Sequence, residues 1–249
     1  MERKELLKFA KIAATTYEDP KTSRDKFKAQ GYDIVEFFDI KDAEGYLLKS
    51  QDEYVLSFRG TSSASDAIAD LKARMRPEAE GAKVHRGFKG ELDKLWPSIE
   101  KALVGVDHLY VTGHSLGAAM ATIAAHRMQH KVLALVTFGS PRVGTKEFVN
   151  SLKVTHHRVQ NNCDDVTKVP LLLMGYRHHG THRYMNFVGE FKNFTPWQRI
   201  KDMVRSRIKA RLKGSKYTGI FDHMMDRYIA KLQKGDKNEC RTGQGQRRS

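Results

Sequence analysis

Ser115 lies in Gly113-His114-Ser115-Leu116-Gly117, a G-x-S-x-G pentapeptide flanked by two stretches of opposite character. His108-Leu109-Tyr110-Val111-Thr112 before it has the β-branched and aromatic composition of a buried strand. Ala118-Ala119-Met120-Ala121-Thr122-Ile123-Ala124-Ala125 after it favours helix. Strand, tight turn and helix is the setting in which such a pentapeptide presents a nucleophilic serine. A serine at the tip of so sharp a turn takes a strained backbone conformation, and side chains in place of Gly113 and Gly117 would collide with the neighbouring strand and helix. The turn leaves the Ser115 hydroxyl exposed and puts the Leu116 N–H at the start of the helix. There the helix dipole helps it bind a developing oxyanion. The chemistry this serves is acyl transfer, which also needs a base for the serine proton and a carboxylate to fix the tautomer of that base.

Two acidic residues, Asp164 and Asp165, follow the candidate strand His156-His157-Arg158-Val159-Gln160 and compete for the carboxylate role. Eleven histidines compete for the base. His114 lies inside the elbow and is expected to turn sideways beside the strand. His178, His179 and His223 all follow the acid.

The elements that must position these groups read as an alternation of helices and strands. Helical spacing of Leu6, Leu7, Phe9, Ala10, Ile12, Ala13 and Tyr17 predicts a first helix ending near Pro20, and a short second one spans about 21–29. Three strands follow, at 32–38, 44–48 and 54–58, with Gly45 expected in the turn between the first two. A polar helical stretch at 64–74 leads into a loop through Pro77 and Gly81, then an amphipathic helix over roughly 88–103. After the elbow, 131–138 is a near-continuous apolar run, as expected of a parallel strand buried on both faces. An edge strand is expected over 181–188. From Pro196 a basic helix is expected to turn Trp197, Ile200, Met203, Val204 and Ile208 inward and its arginines and lysines outward. A terminal helix begins at Phe221-Asp222-His223 and reaches about Leu232. Residues 233–249, without apolar periodicity, are expected to be a disordered basic tail.

Six ordered segments resemble the fungal-type (class 3) lipase family of α/β hydrolases. They are Ser57-Phe58-Arg59-Gly60-Thr61, Val84-His85-Arg86-Gly87-Phe88, the elbow, Thr137-Phe138-Gly139-Ser140-Pro141-Arg142-Val143-Gly144, Asp164-Asp165-Val166-Thr167-Lys168-Val169-Pro170 and Asp222-His223. The resemblance covers about 50–230. It implies an α/β-hydrolase fold, with a central, mostly parallel sheet flanked by helices and a short helical lid. It also implies hydrolysis of carboxylic esters of lipids through a Ser-His-Asp triad and an acyl-enzyme, with no cofactor and no metal. The family's D-x-V-x-x-V-P pattern places the acid six residues before Pro170, at Asp164, and its Asp-His pair places the base at His223. Its Y-x-H-x-G-T loop makes His178 and His179 structural. The oxyanion hole is then the N–H of Leu116 with Thr61, whose hydroxyl can add a further hydrogen bond, while Arg59 fixes this loop. The implied lid, 62–75, has only Ile68, Leu71 and Met75 as sizeable apolar side chains. Opening so narrow a stripe exposes little apolar surface, and the expectation is an esterase-like enzyme preferring short to medium acyl chains.

The 249 residues suffice for one well-cored α/β domain, here 1–232. The N-terminus, Met1-Glu2-Arg3-Lys4-Glu5, is charged where an export signal is apolar, which gives the expectation of a cytoplasmic protein, with non-classical export left open. Cys163 and Cys240 are then read as free thiols. Residues 192–249 hold sixteen Lys and Arg against five Asp and Glu, a net of +11 within the chain's +15. Such a basic end fits a solvated face or weak contact with an anionic membrane. No nucleic-acid motif accompanies it, so nucleic acid is not expected as a partner. A lipid or small ester is the expected substrate. Phospholipase A1 activity on anionic membranes and an inactive hydrolase fold that binds lipid surfaces are the alternative readings.

Overall fold

The computed structural model describes residues 1–51, 53–61, 75–79, 81–191, 194–212, 214 and 218–243. The expected lid, 62–75, lies outside the described residues except for Met75.

Helix α1 (Arg3–Thr15) opens on a capping box formed by Glu2 and Glu5 and buries Leu6, Phe9, Ala10, Ile12 and Ala13. Helix α2 (Pro20–Ala29) starts at Asp19, whose side chain accepts from the N–H groups of Lys21 and Thr22. Three antiparallel strands follow: β1 (Asp33–Ile40), β2 (Ala43–Lys49) and β3 (Tyr54–Phe58). The β1–β2 turn is made by Lys41 and Asp42, both at positive φ, and not by Gly45. Gly45 lies inside β2 opposite Phe58, where the Ser57 carbonyl and the Phe58 ring crowd the space a Cβ would need.

The segment expected as a loop through Pro77 and Gly81 is a two-stranded hairpin, β4 (Met75–Ala79) and β5 (Ala82–His85). Helix α3 (Arg86–Ala102) then crosses back to the sheet, burying Phe88, Leu92, Leu95 and Ile99. From there the sheet is parallel. It adds β6 (Leu109–His114), β7 (Val132–Phe138), β8 (His156–Asn161) and β9 (Thr181–Met185), giving the order β1-β2-β3-β6-β7-β8-β9. Helix α4 (Leu116–Arg127) joins β6 to β7, and the short α5 (Lys146–Ser151) precedes β8. This is the mostly parallel, helix-flanked sheet of an α/β hydrolase.

The sheet divides the core in two. On one face α3 and α4 contribute Leu92, Ile99, Met120 and Ile123; on the other α1 packs Leu6, Phe9 and Ile12 against Tyr228 and Leu232 of the last helix. That face is where a charged N-terminus ends up: α1 is a core helix of the fold.

The C-terminal part differs from expectation. β9 stops at Met185, and the terminal helix is two: α7 (Thr218–His223) and α8 (Met225–Gly243). Helix α8 carries the chain past Leu232, where a disordered tail was expected, because Lys, Gln and Glu favour helix even without an apolar stripe. Residues 244–249 lie outside the described residues. Helix α6 (Pro196–Leu212) forms as expected but faces the other way: Trp197, Ile200, Val204 and Ile208 are exposed.

Candidate active site

The C-terminal ends of β3, β6, β7 and β8 converge, as ligand-binding residues do in parallel sheets. β6 delivers Ser115 with φ 58° and ψ −125°, a conformation costing about 1–3 kcal/mol that the surroundings must hold. The Ser115 N–H donates to the Phe138 carbonyl at the end of β7 (3.1 Å). A Cβ on Gly113 would overlap the Gly117 carbonyl, and one on Gly117 would overlap the Phe58 carbonyl at the end of β3. The two glycines thus let the elbow fold on itself and let α4 sit against β3. Leu116 is the first residue of α4, where the helix leaves its N–H unbonded.

β8 ends at Asn161, and the loop beyond it buries Asp164 completely. Both carboxylate oxygens face His223 Nδ1, Oδ2 at 2.9 Å and Oδ1 at 3.0 Å. Because a carboxylate only accepts, Nδ1 carries the proton and Nε2 of the neutral ring is the basic nitrogen. That Nε2 is buried and has no hydrogen-bond partner, the Ser115 hydroxyl included. Asp164 Oδ2 also accepts from the Tyr228 hydroxyl (2.6 Å), and Oδ1 accepts from the Val166 N–H (3.0 Å). Burial alone would push this carboxyl up; the His223 ring and the Tyr228 hydroxyl outweigh it and hold it below the usual carboxylate range. Burial and the Asp164 charge push the Tyr228 phenol far above its ordinary value, so it stays a donor.

His223 closes α7, and its carbonyl accepts from His114 Nε2 (2.7 Å). The other nitrogen of His114 accepts from the Tyr17 hydroxyl (2.8 Å), and the His114 and His223 rings lie 4.4 Å apart. Burial and the neighbouring His223 ring depress His114 to about 3, so it is neutral. Asn161 Nδ2 donates to the Asp222 carbonyl (2.8 Å), tying α7 to the end of β8. Gly139, at the turn after β7 with φ 57°, passes so close to the pair that a Cβ there would lie 2.7 Å from His223 Nδ1 and 2.8 Å from Asp164 Oδ2.

The competing residues lie elsewhere. Asp165, half-exposed, pairs with Lys168 (2.5 Å) and Arg207 (3.2 Å). His178 Nε2 donates to the Thr167 carbonyl, and His179 meets His156, neither touching Asp164. Thr61 lines a cleft of about 560 Å³ together with Ser115 and Leu116, and Arg59 at its edge is held by Glu44 (2.6 Å). The apolar wall of the cleft is Phe88, Met120, Pro141 and Val166. Tyr228 and Tyr17 were not foreseen. Tyr228 falls with Met225 and Leu232 at helical spacing, and Tyr17 continues the apolar face of α1, so both read as core.

The sequence and the fold both have relatives among known proteins. Residues 55–174 match the family model described as Lipase (class 3). A lipase from Rhizopus niveus is 32% identical over 210 residues, covering 73% of this chain and 54% of that protein. A secreted mono- and diacylglycerol lipase of Fusarium solani is 32% identical over 51% of this chain and 42% of its own length. The crystal structure of a lipase from Rhizopus microsporus var. chinensis superposes with a TM-score of 0.64 at 28% identity, covering 74% of each chain. The chain spans about half the length of the curated relatives it matches. The Fusarium relative, named as secreted, overturns the cytoplasmic location expected from the charged N-terminus. That charge belongs to a core helix and carries no information about compartment.

Proposed function

The chain belongs to the class 3 lipase family, and on that premise we propose that it is a serine hydrolase cleaving carboxylic esters of lipids through Ser115, His223 and Asp164. The observation that carries the proposal is the buried Asp164–His223 pair, whose Nε2 is unpaired, together with a strained serine that lines a cleft. In the reaction, the Ser115 oxygen attacks the ester carbonyl while His223 Nε2 takes its proton. Asp164 stabilises the imidazolium that results. The oxyanion is met by the N–H of Leu116 and by the backbone N–H and hydroxyl of Thr61. Collapse of the intermediate expels the alcohol, protonated by His223. Water activated by the same nitrogen then releases the acid from the acyl-enzyme. The Fusarium relative is named for mono- and diacylglycerols, and acylglycerols are the substrate class proposed for this chain. The net +11 of residues 192–249 supports an encounter with substrate at an anionic lipid surface.

The test compares wild type and Ser115→Ala on p-nitrophenyl esters of increasing chain length, a triglyceride and phosphatidylcholine, with fluorophosphonate labelling alongside. Ser115→Ala is expected to lose labelling and about 10⁴–10⁶ in turnover. His223→Ala is expected to be comparably damaged, and His178→Ala to keep most activity. Labelling that survives in Ser115→Ala, or a damaged His178 variant beside an active His223 variant, would overturn the assignment.

A further inference from the structure

Helix α6 presents its faces in the reverse of the usual order for a soluble protein. The side turned to the body is polar. Asp202 accepts from the Tyr184 hydroxyl (2.8 Å) and the Phe187 N–H (3.0 Å), Arg199 meets His182, and Ser206 is buried. The apolar residues recur at spacings of three and four along the opposite side. Trp197 is 63% exposed, Ile200 46%, Val204 50%, Ile208 56% and Leu212 82%. A surface helix normally spends its apolar stripe on the core. A contiguous apolar stripe left in water marks an interaction surface.

The charges beside the stripe select the partner. Lys201, Arg205 and Lys209 line the same shallow apolar groove as Trp197, Ile200, Val204 and Ile208. The helix's one acidic residue, Asp202, is engaged with Tyr184 and Phe187 on the far side. The outward face is therefore apolar in the middle and purely cationic at its margin. A second copy of this chain would oppose like charges, which disfavours self-association. An anionic bilayer complements both parts: acyl chains take the stripe, and headgroups take the lysines and the arginine. No helix among the described residues is long and apolar enough to cross a membrane, so α6 would lie in the interface plane.

We propose that α6 is a docking element by which the protein seats itself on anionic phospholipid membranes, inserting the Trp197–Leu212 stripe between headgroups. This rests on the reading of the protein as a lipid-ester hydrolase and deepens it by naming the surface at which the enzyme works. The contact is apolar at its centre and electrostatic at its rim. It differs from the purely electrostatic contact that the basic composition suggests.

The test uses the full chain and vesicles of phosphatidylcholine alone or with a quarter phosphatidylglycerol. Binding is read by flotation and by Trp197 fluorescence in a Trp96→Phe background. Wild type is expected to float with the mixed vesicles and to show a blue shift of Trp197 emission. Val204→Asp combined with Ile208→Asp is expected to weaken binding at least tenfold, while p-nitrophenyl butyrate is hydrolysed at the wild-type rate, since both side chains are exposed and neither lines the cleft. Lys201→Ser with Arg205→Ser and Lys209→Ser is expected to lose the preference for anionic vesicles. Unchanged flotation of the double aspartate variant would overturn the proposal. So would a wild type that dimerises through this face, with the aspartates making it monomeric and leaving vesicle binding as it was. Capture of an acidic protein without vesicle binding would overturn it equally. The binding readouts need no turnover, so an inactive wild type would sink the hydrolase reading and leave them intact.

Discussion

The Tyr228 hydroxyl does two things within 3 Å: it donates to Asp164 Oδ2 and accepts from the Asn161 N–H. It thereby fixes the carboxylate that fixes His223. Tyr228→Phe removes the donor while keeping the ring. The expected outcome is a turnover lower by about tenfold with little change in KM, because the carboxylate loses the donor that holds it in line with His223 Nδ1. An unpaired buried N–H on Asn161 adds a stability loss of about 1–3 kcal/mol. A purely structural tyrosine would give that loss alone, and wild-type kinetics would relegate Tyr228 to packing. At this scale the sequence is informative about groups that recur in a motif and silent about groups recruited by packing. Gly113-His114-Ser115-Leu116-Gly117 announces chemistry by type and spacing, and the Asp222-His223 pair does so only through the resemblance to the lipase family. Tyr228 sits at core spacing on a core helix, and only the approach of α8 to the end of β8 makes it a ligand of Asp164. The choice between Asp164 and Asp165 was likewise open to residue chemistry alone. Burial of one and exposure of the other separates them: the first meets His223, the second Lys168 and Arg207.

Two helical glycines show how differently the same substitution acts on an element. Gly90 lies in α3 with nothing within 4 Å of where a Cβ would be, so Gly90→Ala gains helix propensity without a clash. It is expected to stabilise the protein by about 0.5–1 kcal/mol. Gly117 lies in the first turn of α4, and a Cβ there would press into the backbone of Phe58 and Arg59, which no rotamer can relieve. Gly117→Ala is expected to destabilise by about 1–3 kcal/mol or more and to displace the elbow from β3, lowering activity as well. Melting curves of the two variants give opposite shifts from wild type; shifts of the same sign would mean that α4 does not pack on β3 as described. Strand β7 was legible because burial on both faces demands a near-continuous apolar run, as in residues 134–138. The β4–β5 hairpin was not, since Pro77 and Gly81 are turn residues and its two strands form a small sheet of their own. Helix α6 shows the deeper limit: amphipathic spacing reveals that a helix has two faces, and the surroundings decide which one is turned inward. Here Tyr184, His182 and the Phe187 N–H offer polar partners, and the polar face took them.

Across the whole molecule, burial keeps many of the histidines neutral. Burial depresses His114 and His182 to about 3, and drives His156 and His178 well below their ordinary value. His156 is wedged between the Thr137 hydroxyl (2.8 Å) and His179 (3.1 Å), with the Arg158 charge adding to the repulsion. The unfolded chain binds a proton at each of these positions near pH 6.5, whereas the folded chain does not. Below that pH the unfolded state therefore holds more protons, and stability falls as pH falls. Each such histidine contributes about 1.4 kcal/mol per pH unit between its unfolded and folded values. His114 and His156 alone, both nearly inaccessible to solvent, give a slope of about 3 kcal/mol per unit between roughly pH 6 and 5. Asp164, held below its ordinary value, adds to the loss only at more acid pH, once the unfolded carboxyl begins to protonate. At the other end Tyr17 and Tyr228 are pushed up by burial, so stability is also lost as the unfolded phenols ionise above about pH 10. The expected profile is a plateau from about pH 7 to 9 with a steep acid edge that starts in the histidine range, well above where carboxylates titrate. Urea midpoints measured from pH 9 down to 5 test it, and His114→Gln, which keeps one donor and one acceptor, is expected to reduce the acid slope by about one proton. A midpoint that holds constant from pH 7.5 to 5 would mean that these histidines protonate in the folded protein, and that the neutral His114 beneath His223 is not how the site is built.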